Sequence, residues 1–213
     1  MGKKLTTKEK IILEAVRMYN EFGAQNVTSR HIAAEIGISH GNLDYHYNTR
    51  EDILEAIYQQ MRAEMSEWYF LNGAGHMAFE QFHRLVLHLD EFQLKYRFFN
   101  LDVLEISRSY PRISELLQET LELRKDQMSD FFDEFVEDGL IVEKPENGYS
   151  SLKHIIRILI TFWLPQQEVL TSYKSPQSGE MAQYIWELIM PYMTTKGKEE
   201  YARVVEKYAE SSC

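Results

Sequence analysis

Apolar residues recur at steps of three and four along most of the chain, which is the spacing of one face of an α-helix. In residues 6–22, Ile12, Ala15, Tyr19 and Phe22 share such a face, and the segment ends at Gly23. The same periodicity predicts further helices over residues 51–69, 76–95, 98–109, 113–138, 150–173, 180–192 and 198–209. No stretch of useful length alternates as a β-strand does. The pattern therefore predicts an all-α fold.

Residues 28–47, TSRHIAAEIGISHGNLDYHY, have the spacing of two short helices joined by a tight turn. Ala33 is small enough to let the helices approach, and Leu43 fills the angle between them. Gly37 can adopt the left-handed conformation that closes a helix, and Ser39 is a good N-cap for the second helix. This is a helix-turn-helix pattern, whose second helix normally enters the DNA major groove. A helical hairpin inside a core is the alternative for these spacings alone.

The flanking segments favour the DNA-binding interpretation. Upstream, Thr6 and Glu9 form a capping box at the start of the first helix, and Phe22-Gly23 follows at its end. Downstream, Thr49 is a cap, and Glu51-Asp52-Ile53-Leu54 opens another long helix. The order Phe-Gly, Thr-x-x-x-Ile-Ala-x-x-x-Gly-Ile-Ser-x-Gly-x-Leu, an aromatic residue and Glu-Asp-Ile-Leu resembles the DNA-binding domain of the tetracycline-repressor (TetR) family. The rest of the chain resembles that family only in length and helical character.

The resemblance implies a three-helix DNA-binding domain over residues 1–50 and a larger helical bundle for ligand binding and dimerisation over residues 51–213. It implies a sequence-specific transcriptional regulator, usually a dimeric repressor released from double-stranded operator DNA by a small ligand. Whether the ligand releases or recruits DNA binding stays open. The alternative is a helical ligand-binding or protein-interaction module in which the head, residues 1–50, no longer binds DNA.

By the resemblance, the DNA-facing side chains lie at the start of the first motif helix and on the second. Asn42 is the best base reader, because its amide can pair with adenine in the major groove. His46 has two interpretations, a phosphate contact or a buried ring beside Leu43. The full predicted set is Ser29, Arg30, Ser39, His40, Gly41, Asn42, Asp44, Tyr45, His46 and Asn48.

Two of these residues depart from the family pattern, and both departures remove a side chain that would assist binding to DNA phosphates. Asp44 stands where relatives usually carry a tyrosine, and Asn48 where a lysine is common. Asp44 lies four residues after His40, so the two can interact on one helical face. A carboxylate there is repelled by phosphate unless it accepts from a cytosine amino group or is neutralised by His40 or Arg50. An exposed residue just off the contact surface is the remaining alternative.

The net charge of −10 argues at first against a nucleic-acid partner, because binding to phosphates draws on Lys and Arg. Residues 1–50, however, carry seven basic and five acidic side chains, a net charge of +2, and the acidity lies in the remainder. A net charge of +2 gives one head only weak electrostatic attraction to DNA phosphates. We therefore predict a homodimer whose two heads bind a palindrome. No apolar run approaches the ~20 residues that span a bilayer, and the N-terminus lacks the core of a signal peptide. We therefore expect a cytoplasmic protein with no membrane partner.

The second domain is rich in aromatic residues and Met, which occur both in ordinary cores and around apolar ligands. We predict a pocket for a small apolar effector, framed by Phe79, Phe98, Phe99, Met128, Phe132, Phe162 and Trp163. By position in the family, the last two main helices form the dimer interface. Its predicted residues are Ile155, Leu159, Trp163, Ile185, Leu188 and Ile189.

Catalysis is not indicated, because the chain has no Gly-rich phosphate loop, Gly-x-Ser-x-Gly elbow or HExxH motif. Nothing in it indicates a cofactor. The single cysteine, Cys213, excludes an internal disulfide and is interpreted as a terminal thiol. His76, Glu80 and His83 have helical spacing that is compatible with metal ligation, but this spacing is common by chance and we expect no metal site.

Overall fold

Helices account for almost all of the computed structural model, which describes residues 5–72, 77–143, 148–170 and 179–209. Short 3₁₀ turns at Ala24–Asn26 and Met190–Tyr192 supplement the α-helices, and Ile141 pairs with Met193 in an isolated β-bridge. The all-α prediction is confirmed. The α-helices are α1 Thr7–Phe22, α2 Ser29–Glu35, α3 His40–His46, α4 Arg50–Asn72, α5 Ala78–Lys95, α6 Arg97–Leu101, α7 Val103–Ser109, α8 Pro111–Glu137, α9 Ser150–Leu170, α10 Glu180–Ile189 and α11 Thr195–Ala209.

The predicted caps are present at the helix starts. The backbone N–H of Glu9 donates to Thr6 Oγ1 at 3.2 Å, and the N–H of Thr6 donates to the Glu9 carboxylate at 2.7 Å. Thr49 and Asp52 make the same reciprocal pair before α4. Each cap satisfies backbone donors that have no partner inside the helix. Local sequence thus accounts for where α1 and α4 begin.

Several helix limits differ from the prediction. The segment 98–109 is split at Asp102 into α6 and α7. Helix α8 begins at Pro111, because proline suits the first position of a helix, where its missing N–H costs no hydrogen bond. Helix α11 begins at Thr195, since Thr194 Oγ1 accepts from the N–H of Gly197 at 3.0 Å. The predicted breaks at 72–75 and 145–148, the end of α9 beyond 170, and Cys213 fall wholly or partly outside the described residues.

The helices belong to two compact units, the first formed by Met1–Trp68 with Tyr96–Glu119 and the second by Tyr69–Lys95 with Thr120–Cys213. In the first unit, Tyr19 packs edge-on against Phe98 with ring centroids 5.1 Å apart. In the second, Phe79 meets Phe135 and Trp186 at 4.7 and 4.8 Å. Each unit therefore has its own aromatic core. The predicted domain division at residue 50 stays a prediction.

Helices α5, α9, α10 and α11 form much of the second unit, with α10 packed on α5 and α9, and α11 packed on α5. Within the described ranges, no helix is both long and apolar enough to cross a membrane.

Candidate nucleic-acid interface and ligand cavity

The turn between α2 and α3 has the conformation that the sequence predicts. Gly37 has φ +71°, a value that favours glycine, and its N–H donates to the Ala34 carbonyl at 3.2 Å. Ser39 Oγ then accepts from the N–H of Asn42 at 3.1 Å, which caps α3. Leu43 is fully buried and fixes the inner side of α3. The opposite side of α3 is consequently presented to solvent.

The exposed side of α3 and the neighbouring part of α2 carry most of the predicted DNA-facing set. Tyr45 is 84% exposed although it is a large aromatic residue. Gly41, Asn42 and Asn48 are also exposed, as is Arg30 on α2. This combination provides an amide, a guanidinium and an aromatic hydroxyl beside a backbone without a side chain at residue 41. Such groups are suited to the base edges and phosphates of a DNA groove.

Three members of the predicted set interact with one another. His40 Nδ1 lies 3.2 Å from Asp44 Oδ2, so the predicted pairing of these residues is confirmed. The other ring nitrogen, Nε2, lies 3.0 Å from Ser29 Oγ on α2. Arg50, the other predicted neutraliser of Asp44, instead donates to the Val27 carbonyl at 2.8 Å. His40 therefore links α2 to α3 and holds Asp44, a bridge that residue spacing along α3 did not reveal.

His46 does not have the buried environment that one of its two interpretations predicts. It is half-buried rather than buried, and its ring packs edge-on against Tyr45 with centroids 5.3 Å apart. The buried-ring interpretation is therefore wrong, and its contact with phosphate stays a prediction. The DNA contacts of the other predicted residues also stay predictions.

Part of the positive charge of the head is used inside the first unit. The Arg17 guanidinium pairs with Glu14, Glu21 and Glu35 at 2.6, 2.8 and 3.3 Å. The hydrogen bond to Glu14 is the main cause that raises the pKa of Arg17. Arg50 is directed to a backbone carbonyl, as described above. One copy of the head thus offers fewer phosphate partners than its seven basic side chains indicate.

Most of the aromatic residues predicted to frame the effector pocket lie elsewhere. Phe98 and Phe99 belong to the core of the first unit, where Phe99 stacks on Tyr58 at 5.0 Å. Phe79 and Phe132 are fully buried in the core of the second unit. None of these four residues lines the cavity described below, and their assignment to an effector pocket stays a prediction.

The two predicted pocket residues on α9 do not line that cavity either. Phe162 is 46% exposed on the outside of the second unit, and Trp163 packs against Tyr184 with ring centroids 5.7 Å apart. Met128 is the one member of the predicted pocket that lines the cavity described next.

A cavity of about 130 Å³ lies between α5, α8 and α9 of the second unit. Its wall is mainly apolar, and polar groups come from Arg124, Gln127, Arg157 and Thr161. The predicted pocket set did not include the other residues of this wall. Arg157 could have been identified from sequence, because it is a charged residue within the apolar segment 155–164. The apolar lining includes Phe82, Leu85, Val86, Met128, Phe131 and Ile160.

Helices α9 and α10 present an apolar face, but not with all the predicted residues. Ile155 is 49% exposed, and Leu159 and Leu188 are half-buried. Ile185 and Ile189 are fully buried, and Trp163 nearly so, within the second unit. Their assignment to the dimer interface is wrong, because they have no surface to offer a second copy. The exposed face instead includes Ile158 and Phe162.

Two residues of the possible metal set are engaged in a buried network. Glu80 Oε1 accepts from Lys207 Nζ at 2.6 Å and from the Tyr208 hydroxyl at 2.9 Å. His83 Nδ1 accepts from the indole N–H of Trp186 at 3.0 Å, and burial lowers the pKa of His83 to about 4. His76 lies outside the described residues. In the part of the chain that the structure describes, no group of three potential ligands is placed to hold a metal ion.

Comparison with known proteins gives two family matches. A profile described as "Bacterial regulatory proteins, tetR family" matches residues 11–57, and a TetR profile described as "Bacterial transcriptional repressor" matches residues 60–201. No curated protein matches the chain.

Solved structures are similar over nearly the whole chain. A TetR-family transcriptional regulator from Marinobacter aquaeolei VT8 is 25% identical, with a TM-score of 0.85 over 96% of this chain and 99% of that one. The ketosteroid transcriptional regulator KstR2 of Mycobacterium tuberculosis is 17% identical, with a TM-score of 0.67 over 91% and 98% of the two chains. A transcriptional regulator from Saccharomonospora viridis in complex with choline is 21% identical, with a TM-score of 0.70 over 86% and 95%. The last two likenesses concern the fold.

Proposed function

The chain belongs to the TetR family of bacterial transcriptional regulators, and from this premise we propose that it is a homodimeric repressor that a small ligand releases from its operator. It is a DNA-binding regulator with an N-terminal helix-turn-helix domain and a larger C-terminal helical domain. The alternative of a module with a degenerate head is not favoured. We place its action in the cytoplasm, because its DNA partner lies there.

The observation that supports operator reading is the contrast between the two sides of α3. Leu43 is fully buried while Asn42 and Tyr45 are exposed. A buried anchor fixes the helix, so that the exposed side chains reach the major groove from a rigid element. This arrangement is what sequence-specific recognition requires, because base contacts depend on the orientation of each side chain.

Dimerisation and ligand release are supported by two further features of the second unit. The exposed apolar residues of α9 and α10 would be covered by a second copy, as large exposed apolar patches often are. The cavity between α5, α8 and α9 supplies a space for an effector within this unit. Two copies of the head would also double the phosphate contacts that one weakly charged head provides.

The direct test is binding of the full chain to DNA from upstream of its own gene, measured by fluorescence anisotropy at moderate salt. We expect specific binding, and we expect Asn42→Ala to cost ~1–3 kcal/mol at one base position. Gln59→Ala is the matched control, because Gln59 is an exposed amide on α4. Absence of specific binding over many candidate sequences would contradict the proposed function. An equal loss on every sequence would make Asn42 a backbone contact.

A further inference from the structure

The cavity of the second unit has the size and lining for one small apolar group. It measures about 130 Å³, and its inner wall includes Phe82, Val86 and Phe131. An engineered apolar cavity of ~150 Å³ holds one benzene molecule. The space between α5, α8 and α9 therefore matches an aromatic ring or a short acyl chain.

Two arginines line the same cavity from different helices. Arg157 on α9 is half-buried, and its Nη2 lies 3.2 Å from His154 Nδ1. In the described ranges Arg157 forms no ion pair with a carboxylate. A guanidinium has five N–H donors, so the contact with His154 leaves most of them available. Arg124 on α8 donates to Gln127 Oε1 at 2.6 Å.

The acidic and basic groups around these two arginines bear on whether a negatively charged ligand can bind in the cavity. Glu122, an acidic neighbour, pairs with Lys125 at 2.7 Å, and its pKa is lowered mainly by this contact and to a smaller extent by the charge of Arg157. Residues 51–213 carry 28 acidic and 16 basic side chains, so the second domain as a whole repels anions. A negatively charged ligand would bind here only through local cations. Arginine beside apolar walls provides such a site, because guanidinium and carboxylate groups form strong paired hydrogen bonds.

We propose that the effector is a small carboxylate with an apolar body, in which the body fills the cavity and the carboxylate pairs with Arg157, assisted by Arg124. The assignment of this molecule as an effector rests on the proposed function. The binding site itself does not depend on that role. The expected ligand is thus an amphipathic anion of limited size rather than a purely apolar molecule.

The test compares ligands that have the same body and different heads. Benzoate and hexanoate are the carboxylate probes, and benzamide, hexanamide and benzylamine are the neutral and cationic counterparts. Titration calorimetry with the full chain is expected to give at least tenfold tighter binding for each carboxylate than for its amide. Equal or tighter binding of the amides or of benzylamine would overturn the proposal. So would the absence of binding by every probe at millimolar concentration.

Variants test which residues bind the carboxylate of the ligand and which enclose its apolar body. Arg157→Gln keeps a donor for His154 and is expected to weaken benzoate binding at least tenfold, with benzamide changed less than twofold. Arg124→Gln should give a smaller loss in the same direction. Arg203→Gln is the control, because Arg203 is an exposed arginine on α11 that pairs with Glu200. Val86→Phe is expected to abolish binding of every probe by filling the cavity.

Circular dichroism of each variant separates lost binding from lost folding. If Arg157→Gln does not fold, Arg157→Lys carries the same test, since it keeps the charge and loses the paired geometry. Unchanged benzoate affinity in folded Arg157 variants would overturn the proposal. Anisotropy with operator DNA then separates the two conclusions. Carboxylate binding without release would contradict the proposed release, whereas release by an uncharged ligand alone would contradict the proposed ligand class.

Discussion

Replacing Gly41 by alanine is expected to stabilise the free protein and to weaken its binding to DNA. Gly41 is exposed on α3, and a Cβ built at this position meets no atom within 4 Å. Its backbone needs no positive φ either, since the positive-φ glycines are at other positions. The fold therefore gives no reason for glycine at residue 41. We therefore expect that Gly41 allows the backbone of α3 to approach DNA closely.

The expected magnitudes have opposite signs. Glycine in a helix interior costs ~0.8–1.0 kcal/mol relative to alanine. Gly41 is only the second residue of α3, where the cost of glycine is smaller than in a helix interior, so we expect Gly41→Ala to stabilise the free protein by at most roughly 0.5 kcal/mol. On DNA, an added methyl would separate the helix backbone from the groove. A loss of about tenfold in operator affinity, ~1.4 kcal/mol, is expected.

Gly197 on α11 provides the matched control. A Cβ there would lie 1.9 Å from the Leu140 carbonyl oxygen, so packing within the second unit requires this glycine. Gly197→Ala should destabilise the protein by ~1–3 kcal/mol through overpacking. The operator affinity of its folded fraction should stay unchanged. Urea denaturation measures the first quantity, and fluorescence anisotropy measures the second.

The result that would refute this reasoning is an operator affinity of Gly41→Ala equal to that of the wild type. Gly41 would then lie away from DNA, and the predicted orientation of α3 would be wrong. A loss of stability in Gly41→Ala would show instead that the free protein uses the space beside residue 41.

Three further expectations concern other parts of the molecule. Asp44→Asn should strengthen non-specific binding, because it removes a carboxylate that phosphate repels, and should blur preference at one base pair. Competition between specific and random DNA tests both effects, and no change in either affinity would show that Asp44 does not contribute to DNA binding. Ile155→Glu combined with Phe162→Glu should give monomers in light scattering, whereas Leu104→Glu on α7 should not, and a monomeric wild type at micromolar concentration would contradict the dimer. The pKa of His83 is lowered from 6.5 to about 4 in the folded protein, so the unfolded chain binds more protons and stability should fall as pH drops from 6.5 toward 4, by up to ~1.4 kcal/mol per pH unit. His83→Gln keeps an acceptor for Trp186 and should remove that slope in urea denaturation at several pH values; an unchanged slope would assign it to other groups.

The head of the molecule was predictable from sequence because its structure depends on near neighbours. The Thr6 and Thr49 caps each act on a residue three positions away. The turn at Gly37 depends on the conformation of one residue and on carbonyls within a few positions of it. Leu43 and the exposed side of α3 follow from helical periodicity. Interactions of short range along the chain are contained in short stretches of sequence, so the pattern alone identifies them.

The ligand cavity and the buried networks were decided by tertiary structure. Phe79 and Phe82 lie on the same helix, yet Phe79 packs in the aromatic core and Phe82 also lines the cavity. Glu80 pairs with Lys207, and Ser29 meets His40 across the turn. An aromatic or charged residue has the same helical periodicity whether its neighbour is a ring, an ion or a void. Only the packing of distant helices determines which of these it meets.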